Sequence, residues 1–368
     1  MTFVLKRAII HSISKEKNTT FIAAIVKKTV LLPVDNAAVL NLVQGVNGLL
    51  GKPGNILSYG QFGDDMREGK FPGAFSDYVS NLDDDSEFLD LSYCAVDQLA
   101  DRASQEPFST GGHLLVAAYE NDTKPFFLVA MIKQRGGIIL DADYVPKTIE
   151  EVDMSKVHQA ARVNISRYTE VIGLGPVDEA AEVEDRTYLA FVGARTDPAA
   201  GYFVTALGCT KGMASSRATS NVIAAVDVFF SKPDLKQHRT GARNAVIAYL
   251  TEQLHLGIDA AVTDIAFRAG GVLKNNQEAV IEEFRIYLNS EQVKVPAAFP
   301  VHRTTLNKNT RIKAEKTGSW SVQFEKMALG NSPNSAIYFD PKKKSLTFNG
   351  VPEEVAKEIQ AELDARNH

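Results

Sequence analysis

The sequence predicts an α+β fold: an N-terminal, mostly antiparallel sheet with helices, a central helical segment, and a small β-rich C-terminal module closed by a helix. Three observations predict this order. Apolar and β-branched runs separated by polar turns dominate residues 1–196, and apolar residues at helical spacing dominate residues 197–293. Short strand-like runs separated by turn residues then fill residues 294–368, after the two prolines of VKVPAAFP.

Two hairpins and two helices are predicted in the first region. The runs FVLKRAIIHSIS and FIAAIVKKTVLL flank the polar KEKNTT, and HLLVAAYE and KPFFLVAMIKQ flank a turn at residues 121–123. Asp35 is predicted to cap a helix that ends near Leu49, and the acids Asp83–Asp85 are predicted to open another. The runs GGIIL, KVHQAARVNI and TYLAFVGA are further strand candidates.

Helical spacing in the middle region predicts helices through residues 222–230, 246–254 and 281–288. In the last region TRIKA, SWSVQFE, SAIYFD and SLTFN read as short strands. A final helix is predicted from Pro352, with Val355, Ile359 and Leu363 on one face, and we expect that face to close the module. Trp320 alternates with two apolar residues in its strand, so packing in the core is favoured for it over contact with a binding partner.

Composition indicates a soluble globular protein. Of the 368 residues 45% are hydrophobic and 23% charged. The longest apolar run, residues 126–132, is far shorter than a membrane span, and MTFVLKRAIIHS has the wrong order for a signal peptide. Cys94 and Cys209 lie far apart in sequence, which favours two reduced thiols in a cytoplasmic protein.

The formal net charge of −5 hides a strong asymmetry. Residues 294–344 hold ten Lys or Arg against three acids, a balance of +7, and residues 345–368 carry −3. Residues 1–293 therefore carry −9. A basic region on an acidic chain is suited to bind a polyanion at one place, whereas the alternative is that its lysines only solvate a surface and protect sheet edges.

No pattern makes a positive case for an enzyme, a metal or a cofactor. GCTKGMAS lacks the spacing of a phosphate-cradling loop, and no histidine has a zinc-site spacing. The acids Asp83, Asp85, Asp141 and Asp143 could hold magnesium, but consecutive acids on a helix point in different directions, so a solvated helix start is favoured. For His302 a phosphate contact and a backbone contact are both open.

Two segments resemble a known family. FPVHRTTL, GSWSVQFEKMALG and IYFDPKKKSLTFNGVP are similar to the C-terminal signature of the bacterial 37-kDa nucleoid-associated proteins, the NdpA family. RTYLAFVGARTDPAAGYFVTALGCTKGMASSRATSNVIAAVDVFF resembles the family's central block, which closes on Val-Asp-x-Phe at residues 226–229. His302 stands where the family has an acid before the arginine, and NSPNS lengthens a loop.

The resemblance implies a protein of the bacterial cytoplasm and nucleoid that binds DNA and has no established catalytic activity. Lys and Arg side chains would neutralise phosphates without reading sequence, so the expected partner is double-stranded DNA of any sequence. The expected contacts lie in the basic region, with a second cluster near its end and a further strip in the helical segment. They are Arg303, Lys308, Arg311, Lys313, Lys316, then Lys342, Lys343, Lys344, and then Lys232, Lys236, Arg239, Arg243.

Two alternatives stay open. The chain could be a scaffold that recruits a protein partner to the nucleoid through its acidic N-terminal region, with DNA contact secondary. It could also be a metal-dependent nuclease that uses the four acids named above. A homodimer is expected for a DNA-binding protein of this kind, because a two-fold axis would place two basic regions on one duplex or bridge two duplexes.

Overall fold

The structure, a computed structural model, separates the chain into two compact units that meet at residues 301 and 302. It describes residues 2–16, 18–52, 54–63, 70–107, 109–155, 157, 159–174, 186–192, 198–211, 215–274 and 277–366. The second unit therefore begins eight residues after the predicted boundary at residue 294. The other predicted boundary, at residues 196 and 197, lies outside the described residues. The division into three regions stays a prediction.

The first unit contains most of the strands, and the predicted hairpins and strand candidates are among them. In chain order they are β1 (Phe3–Lys15), β2 (Ile22–Val26), β3 (Leu57–Phe62), β4 (Gly112–Asn121), β5 (Lys124–Ile132), β6 (Gln134–Leu140), β7 (Pro146–Val152), β8 (Gln159–Asn164), β9 (Leu189–Val192), β10 (Cys209–Lys211), β11 (Ala260–Ala261) and β12 (Ala298–Phe299).

The helices of the first unit include the three predicted in the middle of the chain. They are α1 (Ala37–Leu49), α2 (Phe71–Ser80), α3 (Asp85–Ala103), α4 (Ile165–Gly173), α5 (Pro198–Ala206), α6 (Ser215–Phe229), α7 (Arg239–Leu256), α8 (Val262–Gly270) and α9 (Gln277–Leu288). Among the described residues, no helix is both long and apolar enough to cross a membrane.

One eight-stranded antiparallel sheet forms the centre of the first unit, in the order β10-β3-β9-β8-β5-β4-β1-β2. Both faces of its middle are covered. Leu114, Val116 and Ala118 of β4 pack in a cluster with α2 and α3, whereas Leu115 and Ala117 pack on the other face with α1. Side chains alternate between the faces of a strand, so burial on both faces explains why this sequence is apolar without alternation.

A two-residue turn joins β4 to β5, as predicted. Asp122 and Thr123 both adopt positive φ, 47° and 68°, which matches the turn to the twist of the two strands. The Asp122 carboxylate also accepts a hydrogen bond from the Thr2 backbone N–H at 2.8 Å. This turn fixes a register that runs from Asn121↔Lys124 to His113↔Ile132.

The helix starts follow the expected chemistry with one correction. Asn36, not Asp35, caps α1, because the Asn36 side chain accepts hydrogen bonds from the N–H groups of Ala38 and Val39. Asp84 caps α3 through the Ser86 N–H, and Asp85 and Glu87 lie in its first turn as predicted.

Asn289 joins the helical part of this unit to the sheet. Its side chain is 1% exposed and forms three hydrogen bonds: Oδ1 accepts from Leu57 N–H, and Nδ2 donates to the carbonyls of Leu57 and Val295. The Tyr59 hydroxyl donates to the Asn289 carbonyl at 2.7 Å. Asn289, the residue just beyond α9, thus forms hydrogen bonds with both the N–H and the carbonyl of Leu57, the first residue of β3.

The second unit contains the predicted small strands and the predicted last helix. Its elements are α10 (Arg303–Thr310), β13 (Arg311–Lys316), β14 (Trp320–Glu325), β15 (Leu329–Gly330), β16 (Ile337–Asp340), β17 (Ser345–Phe348) and α11 (Glu353–Arg366). The hairpin β13–β14 and the sheet β15-β16-β17 contact through Phe324 and Phe348, whose rings meet edge to face at 5.8 Å.

Helix α11 ends this unit as predicted, but its apolar face is exposed. None of its residues is buried, and Val355, Ile359 and Leu363 are each 43–51% exposed. The helical spacing of these residues predicted the helix correctly. It did not show whether anything covers the apolar face, because spacing alone reports only which residues share a face.

His11 of β1 is a buried histidine held in its neutral form. Its Nδ1 accepts a hydrogen bond from Lys28 N–H at 3.1 Å, so Nε2 carries the proton and contacts Ser92 Oγ at 2.9 Å. Burial, and then the charge of Lys27, lower the pKa of His11 from 6.5 to about 4, against the smaller opposite effect of Asp97.

We expect Asn289→Ala to lower the free energy of unfolding of the first unit by about 2 kcal/mol or more, because the buried Leu57 N–H and the Val295 carbonyl lose the partner that the side chain supplies, although Ala297 N–H still donates to the Leu57 carbonyl. Chemical denaturation followed by circular dichroism measures this. The matched control is Asn81→Ala at an exposed position, where a change within about 0.5 kcal/mol is expected. Equal effects of the two substitutions would contradict the role assigned to Asn289.

The wild-type chain should also lose stability as the pH falls from 6.5 towards 4. In this window the unfolded chain binds a proton at His11 that the folded chain does not, so protonation favours unfolding, by roughly 2 kcal/mol in total. The His11→Gln variant should show a flatter dependence of melting temperature on pH. The control His255→Gln, at an exposed position, should keep the wild-type slope.

Candidate nucleic-acid interface

The basic region begins with helix α10, whose start is fixed by His302. The His302 side chain caps the helix by accepting a hydrogen bond from Thr305 N–H, and its Nδ1 lies 2.9 Å from Thr305 Oγ1. Of the two roles left open for His302, the structure therefore shows the backbone contact. Arg303 and Lys308 are both exposed on this helix, while Leu306 between them is buried.

The next three predicted contacts lie on one strand but on two faces of it. In the β13–β14 register, Arg311 pairs with Glu325 and Lys313 with Gln323 on one face. Lys316 pairs with Trp320 on the face that carries Ile312 and Phe324. A strand alternates its side chains, so Arg311 and Lys313 point to the opposite side of the hairpin from Lys316.

Trp320 is not in the core. It is 50% exposed at the end of the hairpin, beside Lys316, although Phe324, four pairs along the ladder on the same face, is buried. The alternation of apolar residues identified the correct face of the strand. Trp320 and Lys316 form the last pair of the hairpin, so no further cross-strand pair lies beyond Trp320.

The lysines of the second cluster occupy the tight turn between β16 and β17. The Asp340 carboxylate accepts hydrogen bonds from the N–H groups of Lys342 and Lys343, and Lys344 adopts a positive φ of 51°. The backbone of this turn is thus held by the acid, while the three side chains are exposed. The turn presents three ammonium groups at one tip.

Ion pairs divide the predicted contacts of the second unit into two classes. Arg311 pairs with Glu325, and Lys313 pairs with Glu315 at 3.2 Å, so both cations already have a partner. Within residues 302–366, the exposed cations to which the structure gives no ion pair are Arg303, Lys308, Lys316, Lys326, Lys342, Lys343 and Lys344. We call these seven residues the unpaired cations.

The strip in the helical segment is mostly neutralised within the first unit. Arg239 and Arg243 both contact Asp227, at 3.0 and 3.2 Å, and thereby fasten α7 to α6. Lys232 contacts Glu283 at 2.6 Å and lies 4.0 Å from the centre of the Phe229 ring. Lys236, in the short turn before α7, is exposed, and the structure gives it no ion pair. Asp227 and Phe229 belong to the Val-Asp-x-Phe close, so the structure gives those two residues a packing role.

Sequence reasoning missed a third set of cations in the first unit. Lys124, Arg167 and Lys294 line a cavity of about 390 Å³ together with Glu170 and Glu291. The three cations come from distant parts of the sequence, so no local pattern could have revealed them. Lys294 was counted with the basic region, but it belongs to the first unit.

Two of the four acids considered for a magnesium site, Asp85 and Asp141, have carboxylates that are engaged in ion pairs. Asp85 at the start of α3 pairs with Arg7, and the backbone carbonyl of Asp83 also accepts from Arg7. Asp141, in the turn between β6 and β7, pairs with Lys147 and accepts from the N–H groups of Asp143 and Val145. Among the described residues, no three His, Cys, Asp or Glu side chains converge as metal ligands would.

Comparison with known proteins agrees with the resemblance drawn from the two segments. The model of the family described as "Nucleoid-associated protein YejK" matches residues 9–356. A nucleoid-associated protein of Pseudomonas paraeruginosa is 23% identical over 97% of this chain and 96% of its own length. One of Shewanella denitrificans is 23% identical over 99% of both chains, and one of Klebsiella pneumoniae is 24% identical over 77% of this chain and 78% of its own.

The match extends through nearly all of the first unit and most of the second, including residues 9–185, which precede both of the resembling segments. It includes α6 with Asp227, the β13–β14 hairpin and the lysine turn. The chain therefore belongs to the nucleoid-associated protein YejK family.

Proposed function

We propose that this protein is a largely sequence-independent double-stranded DNA-binding protein of the bacterial nucleoid and cytoplasm, without a catalytic step of its own. The proposal rests above all on the unpaired cations of the second unit. An acidic chain that leaves seven exposed Lys and Arg side chains without an ion pair among its described residues has a surface suited to phosphates. The names of the family and of its members support the association with the nucleoid.

The division of the basic residues refines the proposed contacts. An unpaired cation reaches a phosphate without first breaking an internal ion pair, whereas Arg311, Lys313, Lys232, Arg239 and Arg243 must give up an acid. We therefore place Arg303, Lys308, Lys316 and Lys342–Lys344 foremost in the DNA contact, with Arg311 and Lys313 at its margin. Lys236 can add a contact from the first unit.

Contacts with phosphates alone carry no sequence information. In the basic part of the second unit, α10 is the longest described helix and has only eight residues. Its two exposed cations are five positions apart, so they point to different sides of the helix. We propose that two copies of the chain act together, since a homodimer doubles the number of phosphate contacts on DNA. Recruitment of another nucleoid protein is the competing role, and the DNA-binding measurements below decide between them.

Binding should depend strongly on salt. If about five phosphates are neutralised, the logarithm of the association constant should fall with the logarithm of salt concentration with a slope of about −4.5. Fluorescence anisotropy with a labelled duplex measures the slope, and a duplex of scrambled sequence and equal composition should give nearly the same affinity and slope. Affinity that does not change with salt would contradict the proposed phosphate contacts.

The unpaired cations should matter more than the paired ones. We expect the variant Arg303→Ala, Lys308→Ala, Lys316→Ala, Lys343→Ala to bind duplex DNA about tenfold or more weakly, because each lost contact removes released counterions. Its melting temperature should stay near that of the wild type, since exposed unpaired charges contribute little to folding.

The matched control removes four positive charges from the strip: Lys232→Ala, Lys236→Ala, Arg239→Ala, Arg243→Ala. It should bind DNA within about threefold of the wild type, while its stability falls because Asp227 and Glu283 lose their partners. If this control loses DNA binding and the first variant does not, the DNA contact belongs to the first unit. If the wild type does not bind DNA at all, the recruiting role takes its place.

A further inference from the structure

The first unit carries a two-stranded hairpin, β6–β7, that is separate from the central sheet, and we call it the arm. Among the strands that the structure describes, β6 and β7 pair only with each other, in a hairpin that runs from Gln134↔Val152 to Leu140↔Pro146. Exposure is highest near its tip: Ile138 is 73% exposed, Leu140 59% and Tyr144 81%. An isolated two-stranded hairpin is only marginally stable in water, and large exposed apolar side chains mark an interaction surface.

The register assigns Ile138 and Leu140 to one face of the arm, while Tyr144 lies in the turn between the two strands. Cross-strand partners point to the same side, so Ile138 and Leu140 share a face with Thr148 and Pro146, which is free of charge except for Glu150 near the root. The opposite face carries the Arg135–Glu151 and Lys147–Asp141 ion pairs. The face with Ile138 and Leu140 thus carries little charge, whereas the opposite face combines these ion pairs with Ile139 and Ile149.

An apolar groove lies beside the root of the same arm. It is lined by Ile10, Val26, Val30 and Leu32 together with Lys28 and His113. Val26 is 44% and Val30 77% exposed, although they lie next to the buried His11. The ring Nε2 of His113 lies 3.3 Å from the Gln134 side-chain oxygen, so the groove begins where the arm leaves the sheet.

The charges of the arm and the groove are complementary. Residues 134–152 hold four acids against two bases. Glu151 and Asp141 form ion pairs within the arm, whereas Asp143 and Glu150 have no ion pair in the described structure. Lys28 at the groove likewise has none. The acidic tip excludes DNA as the occupant, because phosphates and carboxylates repel. A basic, apolar groove on another copy of the chain fits both the charge and the apolar face.

We infer that β6–β7 is a dimerisation arm, and that in a two-fold dimer the arm of each chain lies in the groove of the other. Arm and groove adjoin each other within one compact unit. A single two-fold axis can therefore place the arm of each chain in the groove of the other, which gives a closed dimer. Ile138 and Leu140 pack against Val26, Val30 and Leu32 of the second copy, and Asp143 pairs with its Lys28. This inference gives the proposed homodimer its surface and is independent of the DNA contact.

Sedimentation equilibrium of the full chain tests the arm. The variant Ile138→Ser, Leu140→Ser should weaken dimerisation about tenfold or more, which corresponds to about 1.4 kcal/mol. The control Ile172→Ser replaces an equally exposed apolar residue on α4 and should leave the dimer unchanged. A wild type that is monomeric at about 100 µM, or an arm variant that dimerises normally, overturns the inference.

A charge exchange tests the partner's identity independently of the apolar contacts. Asp143→Lys and Lys28→Asp should each weaken dimerisation, and the double variant should restore it to within about threefold of the wild type. The control Asp77→Lys makes the same change of charge at an exposed site on α2 and should have no effect. Failure of the double variant to recover overturns the pairing. Affinity for a duplex too short for two copies reports DNA binding separately, so the two proposals fail in distinguishable ways.

Discussion

Burial of β4 and β5 on both faces is the constraint on which the rest of the first unit depends. The two strands occupy the middle of the eight-stranded sheet, and every residue from Leu114 to Tyr119 and from Phe126 to Ile132 is below 8% exposed. A sheet with two apolar faces needs a layer on each, and the chain supplies α2 and α3 on one face and α1 on the other. The helices of the first region are thus placed by the hairpin they cover.

The elements were predictable because their signals are local. The turn at Asp122 and Thr123, the acids at the start of α3 and the apolar spacing of α6, α7 and α9 each lie within one short stretch of sequence. Relations between distant residues were not predictable. Asn289 reaches Leu57 across 232 positions, and Asp227 reaches Arg243 across 16. No pattern within one element encodes such contacts, because burial and pairing depend on the tertiary structure.

The candidate site shows the same limit. Its basic residues were visible as a cluster of charge, and the structure places nine of the ten in the second unit. Sequence could not tell an unpaired lysine from one already held by an acid, as the contrast between Lys308 and Lys313 shows. It also could not reveal that Trp320 and the apolar face of α11 lie exposed. A cation that is paired with a carboxylate must break that ion pair before it binds a phosphate. The distinction therefore changes which side chains are proposed to contact phosphates.

The position of β3 in the sheet has a consequence for synthesis on the ribosome. β3 leaves the ribosome early, yet its neighbours are β9 and β10, and Leu57 pairs with Asn289, which is 232 residues away. At roughly ten residues per second, about twenty seconds separate the two during translation. The β4–β5 hairpin can form well before then, so the nascent chain carries a finished half of the sheet beside an unpaired apolar strand. Slow codons, or a chaperone that binds while residues 62–189 are being translated, would therefore act on β3. Of the strands in this sheet, β3 is the one with the longest interval before its neighbours are synthesised.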